Sequence, residues 1–397
     1  PEAAIHMDRI DAAVKNGNPP VRFRVASQLS ELPAPDAARL AKQLATDKHA
    51  SVRGIAAQSI GRLENPNLLP LLLTLAQDAD AEVRRLAAVA LLAYPDPQSV
   101  TRLVTMFGDD GVFVRQAAEE TTVHIHLRIP ALETVGAALA HTNPDSRLHA
   151  YNVLGRLQAH DYHDLIVEHV PEETRPTNIA AALRALNALS SQECDLIAAY
   201  ARHEAEIVRD AVALALGNIS EQKSLDTLQT LVHDDARPVS RTALTSAGRL
   251  GHPFFVPTLL KVLRDTGLKA HFSSRERGVA CWAAAQIDPP SDELAKRLVT
   301  QATTPVIATP MGPIFEPDYV LVSACFALTE YARQDDRFTQ QALKIIEKHS
   351  TEVEPGTGAG PGTLFPSAEL MEFARQAKAW LGDGAPVQPD EADAVPG

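Results

Sequence analysis

Apolar positions in this chain recur first with helical spacing and then with a much longer one. Around Arg84 they fall one residue before (Val83), three after (Ala87) and seven after (Leu91), which is one face of a helix. The same face returns along the chain. Val-Arg pairs occur at Val21-Arg22, Val52-Arg53, Val83-Arg84 and Val114-Arg115, each 31 residues after the last. Arg147 follows after 32, Asn178 after 31, Arg209 after 31 and Arg241 after 32. Three residues beyond these positions stand Val25, Ala56, Ala87, Ala118, Ala150, Ala181, Val212 and Leu244. Seven beyond stand Leu29, Ile60, Leu91, Thr122, Leu154, Ala185, Leu216 and Gly248. This mostly small or aliphatic stripe predicts a buried face on a helix that comes round once per repeat. Between its copies the pattern predicts a partner helix, at 68–77, 99–107, 131–140, 164–170, 195–202, 224–232 and 255–263. A period held this long is the signature of stacked helix pairs, each touching only its neighbours.

The turns repeat as well. Asp47, Asp78 and Asp109 are 31 apart, as are Asp234 and Asp265. An aspartate there is expected to cap the helix that follows. The arginine in the first turn is not explained by the helix dipole, which disfavours a cation at that end. After residue 250 the spacing loosens. The reading is therefore regular repeats over 1–288 and divergent ones over 289–350, with a Pro-rich loop at 303–317. That loop carries Val306, Ile307, Met311, Ile314 and Phe315, too apolar to stay in water. Folding back over the stack is favoured over meeting a partner. Residues 351–366 read as a flexible linker, 367–382 as a C-terminal capping helix, and 383–397 as a disordered acidic tail.

The period, the Asp-x-x-x-x-Val-Arg turn and the small-residue helix after it resemble the HEAT-repeat family, in the short-period bacterial style also found in phycobilin-lyase-like proteins. The resemblance implies an all-α fold, a right-handed α-solenoid of about ten stacked antiparallel helix pairs. It also implies that Asp and Arg side chains form a ladder between neighbouring repeats, here Asp47, Arg53, Asp78, Arg84, Asp109, Arg115, Arg209, Asp235 and Arg241. The motif is specific for architecture and weak for function.

Charge narrows the partners. With 37 Lys+Arg against 50 Asp+Glu, the formal net charge of −13 argues against gripping nucleic acid or an anionic membrane. It therefore disfavours a HEAT-like DNA glycosylase or helicase partner. Cys194, Cys281 and Cys325 form no metal or haem motif and read as buried thiols. No run of about 18 apolar residues is present to span a membrane. A cytoplasmic location fits. The chain opens with Pro1, so a removed signal peptide would make it periplasmic instead. The pattern sets no oligomeric state.

Candidate chemistry is sparse. Deoxyhypusine hydroxylase, a HEAT-like enzyme, is similar in placing His-Glu pairs at helix starts to hold two irons. This chain offers one such pair, His203-Glu204, where several converging ligands are needed. Glu119, Glu120, His124 and His126 form the sharpest local oddity, with Glu120 and His124 on one helical face. A metal there lacks an identified third ligand, and the β-branched run from Thr121 predicts a weakened helix. His160, His163 and His169 read as a solvated face. No nucleotide or hydrolase motif occurs. The reading is no catalytic residue, no metal and no cofactor.

What remains is a surface. Positions one and five residues past each arginine are expected to line the concave side. They give Arg85, Val89, Gln116, Glu120, Leu148, Asn152, Ile179, Leu183 and Leu214, with Trp282 from a shifted repeat. A nucleic-acid surface would be denser in Lys and Arg. The mixture suits a protein or peptide partner, and a non-catalytic scaffold or adaptor. The alternative, implied by the resemblance alone, is a lyase-like or chaperone-like protein holding a tetrapyrrole and its acceptor subunit.

Overall fold

A computed structural model of the chain describes residues 2–266, 269–303, 307–309, 312–314, 317–350, 375–377 and 381. The linker expected at 351–366 and the tail at 383–397 lie outside them, as does all but four residues of the capping helix expected at 367–382. The fold is an all-α solenoid of helix pairs, grouped in two compact units, Pro1–Ser191 and Gln192–Gly397. The division falls inside the stretch expected as one regular block.

The first unit holds α1 (Glu2–Asn16), α2 (Pro19–Ser27), α3 (Ala34–Leu44), α4 (Ala50–Leu63), α5 (Leu69–Leu75) and α6 (Ala81–Ala90). It continues with α7 (Pro97–Thr105), α8 (Val112–His126), α9 (Leu132–Ala137), α10 (Pro144–Arg156), α11 (His163–His169) and α12 (Pro176–Ala188). The second unit holds α13 (Cys194–Ala198), α14 (Glu206–Leu216), α15 (Gln222–Leu231), α16 (Arg237–Leu250), α17 (Val256–Arg264) and α18 (Ser274–Ala285). It ends with α19 (Asp292–Thr303), α20 (Asp318–Gln334) and α21 (Thr339–Ser350). Odd-numbered helices are the first of each pair. The even-numbered second helices stack directly on one another, α4 on α6, α10 on α12 and α16 on α18.

The stripe read from the sequence is the core. Ala56, Ile60, Ala87, Leu91, Ala118, Ala150, Leu154, Ala181, Ala185, Val212 and Leu216 are all buried. Small side chains are needed because second helices approach closely. A Cβ added at Gly155 would lie 3.0 Å from Ala185 Cα, and one at Gly248 would lie 2.8 Å from Ala283 Cα. Both contacts are backbone and cannot yield cheaply.

The β-branched run in α8 does not break it. The helix continues to His126, with Thr121, Thr122 and Ile125 buried and the Thr122 hydroxyl bonded to Ala118 O. Tertiary packing outweighs the few tenths of a kcal/mol, roughly, that propensity withholds. Within the Pro-rich loop, Ile307–Thr309 pairs antiparallel with Gly312–Ile314 as a short hairpin. This is a local departure from the helical pattern.

The turns are held by a rung that repeats. Arg53 donates Nε and Nη2 to the two carboxylate oxygens of Asp78 at 2.6 and 2.7 Å, and Nη1 to Asp47 O. Arg84 does the same to Asp109 and to Asp78 O, and Arg22 to Asp47 and Gly17 O. Arg147 pairs with Glu173 and Arg209 with Asp234 in the same way. Each guanidinium thus ties its own turn to the next. Each aspartate also accepts the N–H two residues on: His49, Asp80, Gly111 and Ala236. This corrects the expectation of helix capping: these aspartates shape the turn ahead of the helix. The N-cap of α6, for instance, is Asp80.

Three ladder assignments need correction. Asp234, not Asp235, takes Arg209, because every Arg–Asp rung spans 25 residues. Arg241 is not a ladder residue. In the rungs of Arg53, Arg84 and Arg209 the arginine directly follows a buried valine, and after buried Val239 that place belongs to Ser240, whose hydroxyl bonds Val232 O instead. Arg115 keeps its turn contacts to Asp109 O and Asp110 O but lacks a bidentate acid. Asp145 approaches only to 3.8 Å, and Arg115 Nε is buried without a partner. The turn place that would supply the carboxylate is His141, whose Nδ1 accepts Asn143 N–H as an aspartate would.

His141→Glu is therefore expected to complete the rung, because Arg115 and residue 141 stand 26 apart, the spacing at which Arg147 meets Glu173. A gain of about 1 kcal/mol, the usual net contribution of one hydrogen bond, would raise the unfolding midpoint of a unit this size by about 2–4 °C. A thermal scan that shows no rise would mean Arg115 is already satisfied.

Candidate binding surface on the second helices

The surface residues expected for partner binding divide by unit. On the first unit, Arg85 is half-buried and forms a fork with Glu82 at 2.6 and 2.7 Å on α6. One turn on, Val89 is 47% exposed. The next second helix, α8, presents Gln116 and Glu120, both exposed. Leu148 is half-exposed on α10. Ile179 and Leu183 are corrected: both are buried, at 3% and 0% exposure, and line no surface. The reason is composition. Nearly every residue of α12 from Asn178 to Leu186 is buried, so its one-past and five-past positions pack inside the stack.

A polar network joins α8 to α10. Glu120 accepts from Arg156 Nη1 at 2.8 Å and lies 3.4 Å from His124 Nδ1. Glu119, turned inward, pairs with His149 and accepts Asn152 Nδ2 at 3.0 Å. Burial pushes the Glu119 carboxyl up, but His149, Asn152 and Arg156 together hold it below its usual value. Arg156 holds Glu120 low more directly. Asn152 therefore braces a half-buried acid rather than facing outward alone. Glu119, His149 and Arg156 were not picked out from the sequence as a group. Their separations of 30 and 37 residues carry no local motif; the repeat period is the one signal that could have aligned them.

On the second unit, Leu214 is half-exposed beside a bond from Thr242 Oγ1 to Asp210 at 2.6 Å. Trp282, also half-exposed, lies over Gly248 on α16.

The other candidates take structural roles. His203 Nδ1 accepts Ala205 N–H, the part an aspartate plays in neighbouring turns. His163 bonds Asp164 and Ser191, and His169 bonds Glu172. No group of three or more His, Cys, Asp or Glu among the described residues could hold a metal ion. Cys194, Cys281 and Cys325 are buried thiols, and burial pushes the Cys325 thiol up to about 12. No helix among the described residues is long and apolar enough to cross a membrane.

A family model of HEAT repeats matches residues 37–121 and 193–269. No curated protein matches the sequence. Among solved structures, importin beta is similar at 14% identity and a TM-score of 0.62, covering 94% of this chain and 60% of that one. Kap95p, in a structure concerned with its binding to RanGDP, gives 12% and 0.58, covering 94% and 57%. Kap121p gives 13% and 0.53, covering 96% and 47%. The chain thus spans about half to three-fifths of these structures, and at such identities they show fold alone. Two matched blocks, the stacked helix pairs and the arginine–carboxylate rungs agree: the chain carries HEAT repeats at residues 37–121 and 193–269.

Proposed function

We propose that the chain is a non-catalytic scaffold that binds a partner protein or peptide along the concave side formed by its second helices. The observation that carries this reading is the row on α6, α8 and α10. Exposed Val89 and half-exposed Leu148 stand among the paired charges of Glu82–Arg85 and Glu120–Arg156. Apolar side chains set among patterned charges are common in protein interfaces. Solenoid surfaces of this kind are the regular place for such contacts. The similar solved structures include one of Kap95p bound to RanGDP, consistent with a protein-binding use of the fold.

The test is capture from the native host with wild-type chain and with Arg85→Glu plus Glu120→Lys. Both pairs are exposed enough that breaking them costs about 1 kcal/mol or less each, so helicity should be unchanged. The reading expects a partner retained by the wild type to be lost, with k_on and salt dependence most affected. Retention of every partner by the doubly reversed chain would refute this placement.

A further inference from the structure

The second unit carries a basic pocket on its first helices, away from the residues just discussed. A cavity of about 620 Å³ is lined by His233, Pro257, Lys261, Arg264, Asp265, His271 and Phe272. A smaller one of about 460 Å³ continues from it past Gln229, Thr230 and Thr258, sharing His233, Pro257 and Lys261. Two features distinguish it. Lys261 and Arg264 have no carboxylate partner among the described residues, although most arginines of the repeats are paired. And four basic side chains line one cavity: Lys261 Nζ lies 3.3 Å from His233 Nε2, the rings of His233 and His271 pack on Phe272 at 5.5 and 4.9 Å, and Arg264 lies in the same wall.

We infer that this pocket binds a phosphate monoester. Lys261, the Arg264 fork and two imidazoles offer more N–H groups than a carboxylate's two oxygens can use, whereas a dianionic phosphate presents three acceptor oxygens. Pro257 and the Phe272 ring supply an apolar wall for whatever carries the phosphate. Asp265, the one acid in the lining, has one of its oxygens engaged by Phe272 N–H at 2.8 Å.

Protonation is linked to binding. Burial, then Lys261 and His271, hold the His233 imidazole below its usual value, so it stands neutral near pH 7 and accepts from Lys261. The charged groups around it are Lys261 and Arg264 from α17, Asp265 and His271 from the connection that follows, and its own neighbour Asp234, already spent on Arg209. An anion among them favours the charged imidazole, so binding takes up a proton and tightens as pH falls from about 8 toward the phosphate's own second pKa of about 6.

The experiment is a titration of the full chain, at constant ionic strength, with inorganic phosphate, AMP and a phosphoserine peptide, read by the imidazole resonances of His233 and His271. The expected result is a saturable shift of both, with affinity rising as pH is lowered over that range. Lys261→Met and Arg264→Met should each weaken it about tenfold, equivalent to about 1.4 kcal/mol. Stronger binding of AMP than of phosphate would place the ester on a small metabolite, and stronger binding of the peptide would place it on a modified protein. An equal shift with chloride, or shifts unaltered in both variants, would overturn the assignment. Because the site lies on first helices, its failure and that of the second-helix surface are separable.

Discussion

Arg53→Ala is expected to destabilise the first unit by about 3 kcal/mol, far more than an exposed ion pair is worth. The pair is largely buried, with 17% and 11% of the Arg53 and Asp78 side chains exposed. Removing the cation strands the Asp78 carboxylate and frees Asp47 O from its donor at once. Asp78→Ala should cost a similar amount, and the double variant less than the two together, since each single change leaves one unpaired group. Urea unfolding followed by circular dichroism measures all three. Full additivity would show that the two side chains act independently. Acid gives a second reading. The Arg53 guanidinium, against the opposing effect of burial, holds the Asp78 carboxyl below the usual carboxylate range. Asp47, Asp109 and Asp234 are lowered too: burial pushes each up, and its arginine together with the backbone N–H it accepts more than offsets this. A lowered folded value means stability that is full above about pH 4, the unfolded carboxyl value, and is lost as pH falls through the folded values. The acid transition should therefore lie below pH 4, and Asp78→Asn should make it shallower.

Gly248→Val is expected to cost the second unit about 3 kcal/mol or more. A Cβ at this position meets Ala283 Cα at 2.8 Å and Ala283 Cβ at 2.9 Å on α18, besides the Trp282 ring. The ring could swing aside, but the backbone of α18 could not without lifting the helix from α16. Gly248→Ala sets two effects against each other. Helix propensity favours alanine by about 1 kcal/mol, while overpacking costs about 1–3 kcal/mol. The expected order of stability is glycine, then alanine, then valine, in denaturant titrations followed by tryptophan fluorescence. An alanine variant more stable than the parent would show that the two helices can separate freely.

How much of this was legible beforehand depends on the residue. The architecture was, because a 31-residue step repeats on both the buried stripe and the turn. Arg53, Arg84 and Arg209 stand where the period puts them. The misplaced residues share a cause. Asp234-Asp235 is a doublet, and Val239-Ser240-Arg241 shifts arginine by one place, so counting alone could not select between neighbours. Ile179 and Leu183 failed differently. A helix with apolar residues on every side has no polar face from which to read an outside, and only the packing around α12 decides it. The Glu119–His149–Asn152 brace was invisible for a third reason: its members come from two repeats, and an acid in a helix gives no sign of pointing inward. The basic pocket likewise draws on α15, α17 and the connection after α17, where the period has already loosened.

The rung between Arg147 and Glu173 differs from the others in spanning 26 residues instead of 25, and in using glutamate where they use aspartate. One additional backbone unit is met by one additional methylene. Side-chain reach and segment length are thus interchangeable within this ladder, which gives anyone grafting or deleting segments here a design rule. The acid has to be chosen after the count is fixed, and a repeat lengthened by one residue keeps its clasp when its aspartate is moved one place along and extended to glutamate.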